Sequence, residues 1–247
     1  MLPWLPEHPV HFPPVSQALS HPEGLLAAGG ELTPAWLLAA YRRGIFPWYS
    51  DDQPILWWCP DPRMVLFLEE LRVTRSLAKR VRNGGFSITF NQAFETVVSA
   101  CAEPRQGQPG TWITEEMHDA YVTLHRLGYA RSVEVWQHRE LVGGLYGVAM
   151  GPVFFGESMF SLTKDASKVA LVHLVHVMRA GGGRLIDCQM HTQHLANLGA
   201  RDIAREDFIN YLESCLATPG LGEKPYPLPC WAPPDQPSRV DPLTAFN

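Results

Sequence analysis

Between Gly183 and His194 the chain reads GRLIDCQMHTQH, which crowds a carboxylate, a thiol, an amide and two imidazoles into one apolar stretch. On an extended strand, alternate side chains face opposite ways. Leu185, Asp187 and Gln189 then share one face, and Ile186, Cys188 and Met190 the other. The second set is apolar, since a free cysteine behaves as a small hydrophobe, so Cys188 is expected to pack in a core. The first set puts an acid two residues from an amide at the end of a strand. A buried Asp needs a partner. Asp187 is therefore either a structural acid holding a loop or helix start, or one member of a catalytic pair with Gln189.

The histidines offer a second chemistry. His173 and His176 are spaced i, i+3, as are His191 and His194, and with Cys188 they could imitate a zinc site. The surrounding helix is apolar nearly all round, and no carboxylate stands between the histidines as in a metalloprotease. Hydrogen-bonded or solvated histidine pairs are the expectation, with no metal.

The elements that must position these groups can be read from local signals. Thr33–Pro34 and Gly44 bracket a helix at about 34–43 with Leu37, Leu38 and Tyr41 on its apolar face. The rest of residues 1–62 is rich in proline and aromatics and reads as a small domain with little regular structure. Asn91 to Ala102 looks helical. Thr114 caps a helix opening with Glu115 and Glu116 and closing at Gly128. Three strand-like runs follow, the first two joined by the hairpin dipeptide His138–Arg139. DASKVALVHLVHVMRAGGG is an apolar helix, LIDCQM a strand and AREDFINYLESCL a closing helix. From residue 115 the order is α, β, β, β, α, β, α, which predicts a mixed α/β sheet domain over residues 63–218. A proline-rich tail, 219–247, is expected to be poorly ordered.

Composition narrows the classes. Of 247 residues 46% are hydrophobic and 18% charged, with a formal net charge of −5, so no overall field draws nucleic acid. One local exception exists: Arg72, Arg75, Lys79, Arg80 and Arg82 follow one another with no acid between them, a phosphate footprint or else a solvated helix face. Five scattered cysteines, Cys59, Cys101, Cys188, Cys215 and Cys230, read as reduced thiols. The first residues lack a basic and apolar leader, and no apolar run reaches membrane-spanning length. A cytoplasmic protein without membrane contact is expected.

Several stretches in sequence, GLLAAGGELTPAWLLAAYRRGIFPWYS, PILWWCPDPRMVL, GTWITEEMHDAYVTLHRLGYARSVEVW, LVGGLYGVAMG, FFGESMFS, DASKVAL and LIDCQM followed by LGA, together resemble the leucyl/phenylalanyl-tRNA–protein transferase family from about Phe12 to Tyr211. The resemblance implies a small N-terminal domain joined to a GNAT-like α/β domain. It implies transfer of leucine or phenylalanine, less often methionine, from aminoacyl-tRNA to the α-amine of proteins beginning with arginine or lysine, which marks them for N-end-rule degradation. No cofactor is required, since an aminoacyl ester is already activated. By position, Asp187 and Gln189 match the family's proposed catalytic pair, and Glu157 the carboxylate near the acceptor. Trp48 and Trp112 would line the site for the terminal adenosine and its aminoacyl group, and Phe154, Met159 and Leu171 an apolar pocket. Where some members carry Asn after LIDCQ, this chain has Thr192.

Gln189 is then expected to contact the incoming amine, with Asp187 polarising it from behind or merely fixing its geometry. Glu157 would recognise a guanidinium or ammonium; its plain structural role would be an ion pair with Lys164 or Lys168. Trp57 and Trp58 are assigned to packing. Two other functions fit the same fold. A CoA-dependent N-acyltransferase would need a (Q/R)xxGx(G/A) pyrophosphate loop, and RNGGFS and RAGGGR each miss its last position. A non-catalytic tRNA- or peptide-binding adaptor would keep the basic run and pocket without the reaction.

Overall fold

The computed structural model describes residues 2–104 and 113–217. The proline-rich tail therefore lies outside the described residues.

Residues before 62 carry more regular structure than their composition suggests. Strands β1 (Trp4–Leu5), β2 (Leu25–Gly29), β3 (Phe46–Pro47) and β4 (Leu56–Trp58) form a four-stranded sheet in the order β1-β2-β4-β3, and helix α1 (Pro34–Tyr41) joins β2 to β3. Composition misled because aromatic packing compensates for short strands. The rings of Phe12 and Trp57 meet edge-on at 4.9 Å, and those of Phe12 and Trp36 at 5.1 Å. Each such pair adds about 0.5–1.5 kcal/mol beyond area burial. Both indole N–H groups find carbonyls, Trp36 donating to Glu7 and Trp57 to Gly29. Trp57 is thus packing, and partly buried Trp58 packs against the same core. α1 buries Trp36, Leu37, Ala40 and Tyr41, and leaves Leu38 partly exposed.

The second sheet begins with β5 (Arg63–Phe67), followed by α2 (Arg75–Asn83), β6 (Ser87–Phe90), α3 (Phe94–Ala102) and α4 (Glu115–Arg126). Next come β7 (Ala130–Gln137), β8 (Glu140–Met150), β9 (Val153–Ser161), α5 (Ala166–Ala180) and β10 (Leu185–Gln189). A short helix α6 (Gln193–Asn197) and a short strand β11 (Arg201–Ile203), neither anticipated, precede α7 (Arg205–Leu216). The seven strands run β11-β5-β10-β9-β8-β7-β6, antiparallel except for β10 on β9. This is the mixed α/β sheet that the element order predicts.

Local signals act as expected at several joints. Thr114 Oγ1 accepts from Met117 N–H at 3.1 Å, and His138 and Arg139 sit at φ 53° and 68°, the two left-handed positions of a tight hairpin. Asn91, however, takes φ 59° before α3 and accepts the Ser132 N–H on its side chain, so the helix starts at Phe94. Close packing fixes Gly147 as a glycine. A Cβ on Gly147 would strike the Phe155 carbonyl and the Phe154 ring.

Two cores cover the two faces. One joins α1, α3, α4 and α7 with sheet residues such as Val65, Tyr146 and Phe155, and extends through Trp36 and Trp57 into the first sheet. The other joins α2 and α5 with Met64, Leu66, Phe154 and Ile186. Among the described residues no helix is long and apolar enough to cross a membrane.

Candidate active site

β9 and β10 pair in parallel from Leu185–Val153 to Asp187–Phe155, and there the pairing stops. Each strand carries an irregularity at that point. In β9 the register against β8 slips between Tyr146–Ser158 and Gly147–Gly156, which makes Glu157 the extra residue. In β10 the register against β5 slips between Asp187–Val65 and Gln189–Met64, which makes Cys188 the extra residue. Bulges of this kind bend a strand and re-aim its side chains. Here they separate the neighbouring strands and turn Glu157 and Gln189 toward one another. Gln189 Nε2 donates to Glu157 Oε1 at 2.9 Å.

The bulge corrects the simple alternation along LIDCQM. Gln189 takes φ 62°, Met190 is 44% exposed, and Cys188 is partly buried with its thiol near the Ile186 carbonyl at 3.8 Å. Burial and the neighbouring Asp187 push the Cys188 thiol up, so it stays protonated and is no nucleophile at neutral pH.

Glu157 is the centre of the cluster. Its Oε1 accepts from the Tyr41 hydroxyl at 2.8 Å and its Oε2 from the Tyr121 hydroxyl at 2.6 Å. Tyr41 closes α1 and Tyr121 lies in α4, so the first sheet's helix helps build a site on the second sheet. Glu157 retains some solvent contact yet is enclosed by protein. Desolvation raises its carboxyl from 4.5 to about 7, although the Tyr121, Tyr41 and Gln189 donors pull the other way. Burial and the Glu157 charge hold both phenols well above their ordinary value, so they remain donors. Neither expected lysine pairs with Glu157 among the described ion pairs; Lys168 instead meets Asp165 at 2.7 Å.

Asp187 is fully buried and paired. Its Oδ1 accepts from Arg63 Nε at 2.8 Å and from the Gln189 backbone N–H at 2.9 Å, and its Oδ2 accepts from Arg63 Nη2 at 2.7 Å. These bonds reach the backbone of Gln189 and not its carboxamide, the contact that fixing its geometry would use.

The remaining predicted residues are dispersed. Phe154 and Leu171 are 1% and 2% exposed within the α5-side core, and half-buried Met159 packs against that core. Trp48 is 37% exposed beside Trp58, with ring centroids 5.5 Å apart. Trp112 lies outside the described residues. Thr192 caps α6, its hydroxyl accepting from Leu195 N–H at 3.3 Å. Arg72, Arg75, Lys79 and Arg82 are exposed, while partly buried Arg80 stacks on Phe86 and donates weakly to the Lys164 carbonyl. Among the described residues no three His, Cys, Asp or Glu side chains converge as a metal site would require, and His191 pairs with Asp202 at the surface.

Three contributors escaped the sequence reading: Arg63, Tyr41 as a donor, and Tyr121. Arg63 left a signal, because a charge opening the apolar run RMVLF must find an opposite charge once that strand is buried. The tyrosines left none, since each sits among apolar helix positions.

The start of α5 argues against a CoA cradle. Its first amides are already engaged, Ala166 N–H with the Thr163 carbonyl and Ser167 N–H with Ser161 Oγ, both at 3.0 Å.

Known proteins agree on one family. The model of leucyl/phenylalanyl-tRNA protein transferase matches residues 65–213, and that of its N-terminal domain residues 30–61. The leucyl/phenylalanyl-tRNA–protein transferase of Chromohalobacter salexigens is 65% identical over 89% of this chain and 86% of its own. Those of Chromobacterium violaceum and Stutzerimonas stutzeri are 59% and 57% identical, covering 94% and 99% of their own lengths and 89% and 90% of this chain. Two solved structures resemble this chain remotely. L-PGS from Bacillus licheniformis has a TM-score of 0.41 at 11% identity, covering 53% of this chain and 46% of its own. A GCN5-related N-acetyltransferase from Kribbella flavida has 0.36 at 11%, covering 69% and 61%. With both family models matched in chain order and relatives alike over nearly their full lengths, the chain belongs to the leucyl/phenylalanyl-tRNA protein transferase family.

Proposed function

We propose that this chain moves a leucyl or phenylalanyl group, and less readily a methionyl group, from its tRNA to the α-amine of a protein that begins with arginine or lysine. A cytoplasmic setting, where charged tRNA is available, belongs to the same proposal. The observation that carries it is Glu157 set against Gln189 where β9 and β10 separate, in a chain of this family.

The chemistry asks little of the protein. An aminoacyl ester is activated, and an α-amine with a pKa of about 7.7–8.0 is partly neutral in the cell. Positioning the amine, stabilising a tetrahedral oxyanion, and passing the amine's proton to the departing ribose oxygen of the tRNA are what remain. Gln189 would orient the amine, and an ionised Glu157 would pair with the basic side chain of the acceptor. Half-buried Met159 would give the donor pocket an adaptable wall, with Phe154 and Leu171 shaping it from behind. Trp48 and Trp112 would receive the terminal adenosine. The exposed cations Arg72, Arg75, Lys79 and Arg82, with Arg80, would meet phosphates. The division at about residue 62 falls between β4 and β5. It is proposed as the boundary of an N-terminal domain that shares its core with the rest.

The test uses purified protein, tRNA charged with labelled leucine, and peptides beginning with arginine or alanine, with Gln189→Ala in parallel. Transfer to the arginine peptide alone, reduced in the variant, is the expected result. No transfer from well-charged tRNA would sink the reading, and tRNA binding without transfer would favour the adaptor.

A further inference from the structure

The pair Arg63–Asp187 is costly and closely enclosed. Arg63 is fully buried, with its guanidinium 4.9 Å from the Phe46 ring centroid and 4.6 Å from that of Phe208. Its Nη1 is buried without a hydrogen-bond partner among the described residues. Burial works against the charge, but Asp187 outweighs it and holds the guanidinium above its ordinary pKa. Apolar residues of similar volume often serve a fold as well as a buried ion pair does. The geometry around the pair gives it a role beyond tying β5 to β10.

Both oxygens of Asp187 are committed. The three N–H groups they accept come from Arg63 and from the backbone of Gln189, and none of the observed bonds reaches the Gln189 carboxamide. Gln189 meanwhile stands at φ 62°, a left-handed conformation that a non-glycine residue keeps only when its surroundings enforce it. In that conformation its own N–H donates to Asp187 Oδ1 at 2.9 Å. From the same residue the carboxamide reaches Glu157, Nε2 donating to Oε1 at 2.9 Å.

We infer that Arg63 is a positioning residue of this site: it clamps Asp187, which through the Gln189 N–H holds Gln189 in its left-handed conformation, and Asp187 exchanges no proton with the substrate. The inference rests on the transferase reading. It also changes what the simplest mutation means. Asp187→Asn leaves the Arg63 charge buried and unpaired, so a heavy loss of activity follows whether or not the carboxylate handles charge in the reaction.

The test compares wild type, Arg63→Lys, Asp187→Asn and the neutral double variant Arg63→Gln/Asp187→Asn. Thermal melts establish folding; kcat, and KM for an arginine peptide, are measured from about pH 6 to 8.5, the range in which the acceptor amine titrates. Arg63→Lys keeps the charge but loses the fork, so kcat should fall on the order of 10²-fold, the usual cost of a misplaced reacting group. Its KM–pH midpoint should rise, because the Gln189 amide no longer supports the Glu157 carboxylate; a merely structural role would leave that midpoint alone. The double variant should recover about tenfold over Asp187→Asn, as coupled partners do when removed together. A folded double variant no better than Asp187→Asn would mean that the carboxylate itself acts in the chemistry. Arg63→Lys with wild-type kcat and midpoint would overturn the inference on its own, and decides the matter should the double variant not fold. Wild type without transfer would overturn the function and this inference together, whereas wild-type transfer without the variant pattern would overturn this inference alone.

Discussion

The hydroxyl oxygens of Tyr41 and Tyr121 lie 2.7 Å apart, and each also reaches a different oxygen of Glu157. Three oxygen–oxygen contacts thus share two phenolic protons. When both phenols donate to the carboxylate, the contact between them has no proton. A proton on Glu157 closes the ring, with Glu157 donating to one phenol, that phenol to the other, and the second back to Glu157. The geometry suits the protonated acid as well as the carboxylate, in keeping with a carboxyl raised by desolvation to about 7.

Acceptor affinity should therefore depend on pH near neutrality. A basic N-terminal side chain pairs with the ionised form, whose share rises from about a tenth to about nine-tenths between one pH unit below the pKa and one above it. KM for an arginine peptide should fall about tenfold from pH 6 to pH 8, by the same titration. Steady-state kinetics at saturating aminoacyl-tRNA would show it. A flat KM, with only kcat rising as the amine deprotonates, would remove Glu157 from acceptor recognition.

Stability should move the other way. Glu157 binds its proton more tightly in the folded chain, about 7 against an ordinary 4.5, so its contribution is complete below pH 4.5 and is lost as pH rises through 7. Glu157→Gln carries no such titration. Relative to wild type it should gain up to about 3 kcal/mol between about pH 4.5 and pH 8, since each tenfold change in proton affinity is worth about 1.36 kcal/mol. Parallel thermal melts across that range would reveal a gap that widens with pH; a constant gap would refute it.

Tyr121→Phe removes a donor that favours the carboxylate. The KM–pH midpoint should then rise by about one pH unit, since a hydrogen bond to a charged group is worth roughly 1.5–3 kcal/mol. Tyr41→Phe should move it in the same direction. An unchanged midpoint in both variants would mean that the phenols merely fill space.

The basic stripe of α2 should grip by charge alone. Arg75, Lys79 and Arg82 are exposed, and none forms an ion pair among the described residues. Changing any one to Ala should weaken tRNA binding and reduce the slope of log affinity against log salt by about 0.7–0.9. Arg80→Ala should also cost stability through its lost stacking on Phe86. Filter binding at several salt concentrations separates the two; slopes identical to wild type would move the tRNA contact elsewhere.

The sequence by itself determined what depends on near neighbours. Thr114 as a cap, His138–Arg139 as a hairpin turn, the apolar helix α5 and the final α7 were legible because the bonds that fix them span only a few residues. Asp187, Gln189 and Glu157 could be named from the family resemblance. What the tertiary structure decided was what these residues touch. Asp187 and Arg63 meet across 124 positions, and Tyr41 and Tyr121 across 80. The bulges at Glu157 and Cys188 exist only because partner strands set a register that each must slip. No local pattern encodes a partner's register. The choice between Asp187 as a proton handler and Asp187 as a buried counter-ion therefore lay beyond the linear order of residues, and Arg63 supplies the reason to prefer the second.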